Sequence, residues 1–112
     1  MAVIYVTGPF CAGKQEYIQN RLGFSDAEFS ACCVRDVQEL VPCECLEDLA
    51  DRLAEKRVVI QTETGCGLVP MCPEEREKRD AAGRLSCLLA QRADSVIRIC
   101  CGLPQLLKGD WP

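Results

Sequence analysis

The sequence predicts a mostly parallel, doubly wound α/β sheet with flanking helices, and three observations carry that prediction. Short, β-branched apolar runs alternate with helix-period amphipathic stretches along the chain. Glycine loops follow two of those runs directly, one from Gly8 to Gly13 and one at Gly65 and Gly67. The length of 112 residues, 48% of them hydrophobic, suits one core, so residues 1–112 are read as a single domain.

The elements follow in order. Ala2 to Thr7, with the run VIYV, is the first strand. Lys14 to Leu22 reads as a helix with Tyr17, Ile18 and Leu22 inward, and Gly23 is its stop. Ser30 to Val34 is expected as a short second strand. Cys43 to Lys56 is an amphipathic helix presenting Leu46, Leu49, Ala50, Leu53 and Ala54. Arg57 to Thr62 supplies the third strand. Pro73 fits the first turn of a long helix, where its missing N–H is not needed, and Leu85, Leu88, Leu89 and Ala93 form that helix's buried stripe. Ser95 to Cys101 is the fourth strand, ended by Gly102-Leu103-Pro104. Right-handed crossovers follow from this alternation. Ligands of such sheets sit beyond the carboxyl ends of the strands, which puts both glycine loops on one edge.

The first loop, Gly8-Pro9-Phe10-Cys11-Ala12-Gly13-Lys14, has the G-x4-G-K frame of a phosphate-binding loop, placed between a strand and a helix. Its glycines let backbone N–H groups close around a phosphate, the helix start adds positive partial charge, and Lys14 reaches the outer phosphates. A chance match in a chain of this length has a probability on the order of a few per cent. The position after Lys14 ordinarily carries the Ser or Thr hydroxyl that holds Mg²⁺, and here it is Gln15. Nucleotide binding is therefore expected to be better preserved than phosphoryl transfer. The fold class becomes a P-loop NTPase-like α/β domain. GTP or ATP is the expected cofactor, with Mg²⁺ weakened and Gln15 and Glu63 as its candidate ligands.

A net charge of −4 without a basic stripe argues against nucleic acid as a partner. The start MAVIYVTG has no signal-peptide pattern, and no apolar run approaches the roughly 20 residues of a bilayer span. A cytoplasmic protein with no membrane partner is expected. The ten cysteines include no CxxC pair, and there is no histidine to complete a mixed zinc site. Reduced, buried thiols are the expected state, with Cys32-Cys33 and Cys100-Cys101 in strands. Cys11 and Cys66 fall in the binding loops instead. A metal cluster or a redox centre is the weaker reading.

The second loop reads Thr62-Glu63-Thr64-Gly65-Cys66-Gly67-Leu68-Val69-Pro70. A carboxylate at a strand end opposite a phosphate loop can hold Mg²⁺ or orient a nucleophile, so Lys14 and Glu63 are the candidate catalytic residues. A solvated Glu in a surface turn is the plain alternative. From Glu63 onward the chain resembles the adenosylcobinamide kinase / adenosylcobinamide-phosphate guanylyltransferase family of cobalamin biosynthesis. That family carries an (S/T)NE-x-G-x-G-x-VP loop, then a helix with an R-D-x-x-G-R-L-N-Q core. A strand ending near G-x-P and a basic residue follows. The matches are Glu63, Gly65, Gly67, Val69 and Pro70, then Arg79, Asp80, Gly83, Arg84 and Leu85, then Ala93, Asp94, Val96, Gly102, Pro104 and Lys108. With the phosphate loop, the resemblance covers roughly two-thirds of the chain.

The resemblance implies a P-loop α/β fold and two activities: phosphorylation of adenosylcobinamide, then transfer of GMP from GTP through a guanylylated histidine. It also implies a cobinamide-type substrate and a homo-oligomer. The departures are specific. Family members are much longer between the two loops, whereas 48 residues separate Lys14 from Glu63 here, and the chain has no histidine. Thr62 stands for the loop Asn, Ser86 and Cys87 for the helix Asn and Gln, and Gln15 for the magnesium hydroxyl. The leading expectation is a purine-nucleotide-binding member impaired in guanylyl transfer. A kinase-only member acting on adenosylcobinamide or a similar alcohol is the first alternative. A non-catalytic subunit or interaction scaffold is the second.

Overall fold

A computed structural model describes residues 3–9, 13–41, 45–63 and 72–112. Its sheet has five strands in the order β2-β3-β1-β4-β5: β1 Ile4–Gly8, β2 Cys33–Val34, β3 Val58–Thr62, β4 Ser95–Cys100 and β5 Leu103–Lys108. The first four are parallel, and β5 returns antiparallel on the β4 edge. The helices are α1 Lys14–Leu22, α2 Asp26–Cys32, α3 Leu46–Leu53 and α4 Pro73–Arg92. This is the mostly parallel α/β architecture read from the sequence.

Handedness explains where the helices lie. The path from β1 to β2 runs one way across the sheet, and the paths from β2 to β3 and from β3 to β4 run the other way. Crossovers of one hand must then put α1 and α2 on one face and α3 and α4 on the opposite face. Two separate cores result. Ile18 and Phe29 pack with Ile4, Val6, Val58, Ile60, Ile97 and Ile99 on the first face. Leu49, Leu53, Leu85 and Leu89 pack with Tyr5, Val59 and Val96 on the second. The period-two alternation along β1 and β3 assigns neighbouring residues to opposite cores.

Three local readings are corrected. Residues 30–32 end helix α2, so the second strand shrinks from Ser30–Val34 to Cys33–Val34. Ser25 caps α2, its Oγ accepting the Glu28 N–H at 3.2 Å, and that cap carries the helix past residue 30. The α3 helix is shorter than Cys43 to Lys56, spanning Leu46–Leu53, while residues 42–44 lie outside the described set. Gly102-Leu103-Pro104 does not end the sheet. Cys101 (φ 54°) and Gly102 (φ 73°) form a two-residue turn with positive φ at both centres, and β5 follows.

The cysteines are also more exposed than expected. Cys33 is buried, Cys32 and Cys72 are half-buried, and Cys45, Cys87, Cys100 and Cys101 are exposed, all as free thiols. Strand and helix ends place them there: Cys100 is the last residue of β4, Cys101 sits in the turn, and Cys87 is on the outer side of α4. No helix among the described residues is long and apolar enough to cross a membrane.

Candidate functional site

The carboxyl edge of the sheet brings the starts of the two glycine loops together. Gly8 ends β1 in register with Thr62 of β3, and the Glu63 N–H donates to the Gly8 carbonyl at 2.8 Å as a last rung. Gly8 has to be glycine here. Its φ is 156°, and a Cβ would stand 2.1 Å from the Ile99 carbonyl oxygen of β4. The neighbouring strand thus passes too close to the turn for any side chain.

Gly13, at φ 83°, is the N-cap of α1 and supplies no side-chain cap to the first-turn amides. A helix start left uncapped in this way carries N–H donors and positive partial charge suited to a phosphate. Lys14 opens α1 and is only 8% exposed, with its ammonium donating to the Pro9 carbonyl at 2.8 Å. Its charge is thereby held against the turn that begins the phosphate loop. Phe10, Cys11 and Ala12 lie outside the described residues, as do Gly65, Gly67, Val69 and Pro70 of the second loop.

Glu63 faces Arg98 of β4. The guanidinium grips the carboxylate with both prongs, Nε to Oε1 at 2.7 Å and Nη2 to Oε2 at 3.0 Å. Hydrogen bonding from Arg98 holds the Glu63 carboxyl below its ordinary range against the opposing effect of partial burial, and Lys14 adds its charge in the same sense. Gln15 is engaged too: its side-chain oxygen accepts from Arg35 Nη1, and its nitrogen donates to Gln19 at 3.4 Å. Arg35 and Arg98 were not singled out from the sequence. The signal for Arg98 was present, since a charge inside the apolar strand SVIRIC requires a partner.

A divalent metal fits these side chains poorly. Both oxygens of Glu63 and the side-chain oxygen of Gln15 are taken by guanidinium groups. Among the described residues no three acidic, cysteine or histidine side chains gather into a metal cluster.

The remaining motif residues divide between support and surface. Thr62 N–H donates to Gln38 Oε1 at 3.0 Å, because β2 is too short to pair that far along β3. Asp94 accepts the Val3 N–H at 2.8 Å, pinning the start of β1. Lys108 donates to the Ala90 and Gln91 carbonyls at 3.0 and 3.2 Å, closing the end of α4. Ser86, in place of the family Asn, lies 3.0 Å from the Tyr5 hydroxyl. Asp80 and Arg84 line a 520 Å³ recess between α3 and α4 with Leu46, Pro73 and Arg76. Arg79 is half-buried on the same helix. A second recess of 420 Å³ opens beside Gly13, between the Tyr17 and Asn20 side of α1 and Gly102.

Comparison with known proteins gives two matches. The family model described as cobinamide kinase / cobinamide phosphate guanyltransferase matches residues 17–107. The chain is also 37% identical over 67 residues to the bifunctional adenosylcobalamin biosynthesis protein CobP of Pseudomonas aeruginosa. That match covers 60% of this chain and 36% of the relative, so the chain spans little more than a third of the protein it resembles.

Proposed function

The chain belongs to the cobinamide kinase / cobinamide phosphate guanyltransferase family, and from that premise we propose that it binds a purine nucleoside triphosphate at the Gly8–Gln15 turn without transferring GMP. The observation that carries this reading is the meeting of Gly8, Lys14 and Glu63 at one sheet edge, with Lys14 buried against the turn. Phosphates would lie against the first amides of α1 and the Lys14 ammonium. The 420 Å³ recess beside Gly13 falls within the range of small-ligand sites, and Tyr17 and Asn20 would there meet the nucleoside.

Loss of guanylyl transfer is supported by composition: this chain has no histidine to carry GMP by the route its family resemblance implies. Arginine engagement of Glu63 and Gln15 supports binding over phosphoryl transfer to a cobinamide-type alcohol. Groups that act only at the transition state contribute about 2.7–4 kcal/mol each, so their loss stops turnover before it stops binding. Titration calorimetry with GTP and ATP tests the proposal, with Lys14→Ala expected to abolish the heat of binding. A folded wild-type chain that binds neither nucleotide at millimolar concentration would refute it.

A further inference from the structure

Magnesium is the ion that a phosphate-loop fold ordinarily brings to this edge, and the residues here do not fit it. Mg²⁺ needs oxygen ligands at about 2.0–2.1 Å in near-octahedral order. The side chains at its two expected positions turn their oxygens to arginines instead, Glu63 to Arg98 and Gln15 to Arg35.

The Arg98 placement follows from the sheet. Arg98 is in register with Thr7 on one side of the central strand, and Glu63 follows β3 on the other side. Alternation from Tyr5, Val59 and Val96 puts Thr7, Glu63 and Arg98 on the α4 face. The Arg98–Glu63 fork therefore crosses the end of β1 where the phosphate turn begins. It is not sealed in, since 38% of the Arg98 side chain and 21% of Glu63 remain exposed. A guanidinium cannot lose its proton in a protein, and its planar fork matches phosphate as well as carboxylate. Lys14 and Arg98 both bring positive charge to bear on Glu63 at this edge.

We propose that Arg98, seated on Glu63, is the built-in cation of this edge, so that the site takes a nucleoside polyphosphate without a divalent metal. Glu63 is then the positioning residue for Arg98 and not a metal ligand. The inference rests on the nucleotide binding proposed above.

The test is calorimetry of the full chain with GTP, first in EDTA and then in millimolar MgCl₂. Wild type and Arg98→Lys should bind with affinities that change by less than about twofold on adding the metal. Arg98→Met, with its fold checked by circular dichroism, should lose about tenfold in EDTA and recover when Mg²⁺ is supplied to the freed carboxylate. A nucleotide-free Mn²⁺ titration read by electron paramagnetic resonance provides a second measurement: wild type leaves the ion in solution, and Arg98→Met takes it up. Wild-type GTP affinity that rises tenfold or more with Mg²⁺ (about 1.4 kcal/mol) would overturn the inference while leaving nucleotide binding intact. Equal behaviour of wild type and Arg98→Met in both titrations would overturn it as well. No GTP binding in either buffer would remove the nucleotide reading and this inference together.

Discussion

The Tyr5 hydroxyl lies 3.0 Å from Gln61 Oε1 and 3.0 Å from Ser86 Oγ, so one phenol joins the two central strands to α4. Gln61 completes the junction by donating to the Ala82 carbonyl at 3.0 Å. Buried networks of this kind are stabilising only when every member is satisfied, and no buried side-chain nitrogen or oxygen among the described residues lacks a partner. The junction lies two residues before both Thr7 and Glu63, on the same face of the sheet. It sets the floor of the site.

Removing the phenol oxygen should therefore leave Gln61 short of a donor. Tyr5→Phe is expected to destabilise the fold by about 1–3 kcal/mol in urea melts. Burial raises the Tyr5 pKa above its ordinary 10.0, with hydrogen bonds from Ser86 and Thr7 opposing in part. The folded state thus holds the phenolic proton more tightly than the unfolded state. The Tyr5 share of wild-type stability should be fully present below pH 10.0 and decline as pH rises from there through the folded value. The Phe variant should lose the Tyr5 share of the alkaline decline and keep the share from Cys33, whose buried thiol is also pushed up, to about 11.

Two glycines of the phosphate turn should respond differently to alanine. Gly8→Ala drives a methyl into the Ile99 carbonyl, and overpacking of this kind costs about 1–3 kcal/mol or more. Among the described residues the nearest atom to a Cβ on Gly13 is Gly102 Cα at 3.8 Å, and the left-handed backbone is penalised by about 1–2 kcal/mol. Thermal melts read the first effect. GTP titration of the better-folded Gly13→Ala reads what the turn geometry contributes to binding.

The Glu63–Arg98 pair predicts an acid-side dependence. A carboxyl held below its ordinary 4.5 gives stability that is complete above that pH and lost as pH falls through the lowered value. Both side chains are partly exposed, so solvent screening keeps the contribution under about 1 kcal/mol. Arg98→Met should flatten the stability curve below pH 4.5, as measured by denaturant midpoints.

Thiol reactivity should rank by exposure. Cys45, Cys87, Cys100 and Cys101 are exposed and should label in the native protein. Burial pushes the Cys33 thiol up to about 11, so it should label only on unfolding. Mass mapping after a timed maleimide pulse checks this order, and early labelling of Cys33 would contradict it.

Much of the fold was legible because its signals are local. The apolar run VVIQT, the Pro73 helix start and the Leu85/Leu89 stripe each announce an element without help from the rest of the chain. Helix α2 was missed: Ser25 and Glu28 stand at capping-box spacing, but its body is brief and carries only Phe29 as a buried residue. Strand β5 was hidden by chemistry. Pro104 reads as a terminator, yet at a sheet edge its missing N–H is harmless, and a Cys-Gly pair is not the usual composition for a turn with two positive φ angles. At the site, Gly8, Lys14 and Glu63 could be found by motif. Arg98 could not, because its role depends on strand order: the last parallel strand reaches across the first to the third.

That strand order has a consequence for how the chain is made. Strand β1 occupies the middle of the sheet, and one of its flanks is filled only by β4, with Asp94 fastening Val3 from ninety-one positions away. On a ribosome β1 would emerge before either of its neighbours and keep one edge bare until β4 had also been synthesised. During that interval an unfilled apolar edge can recruit any extended segment nearby. The strand that leads into the phosphate turn is thus made well before the β4 strand that flanks it, so a nascent chain of this topology carries an open edge for longer than one whose neighbouring strands follow each other in sequence.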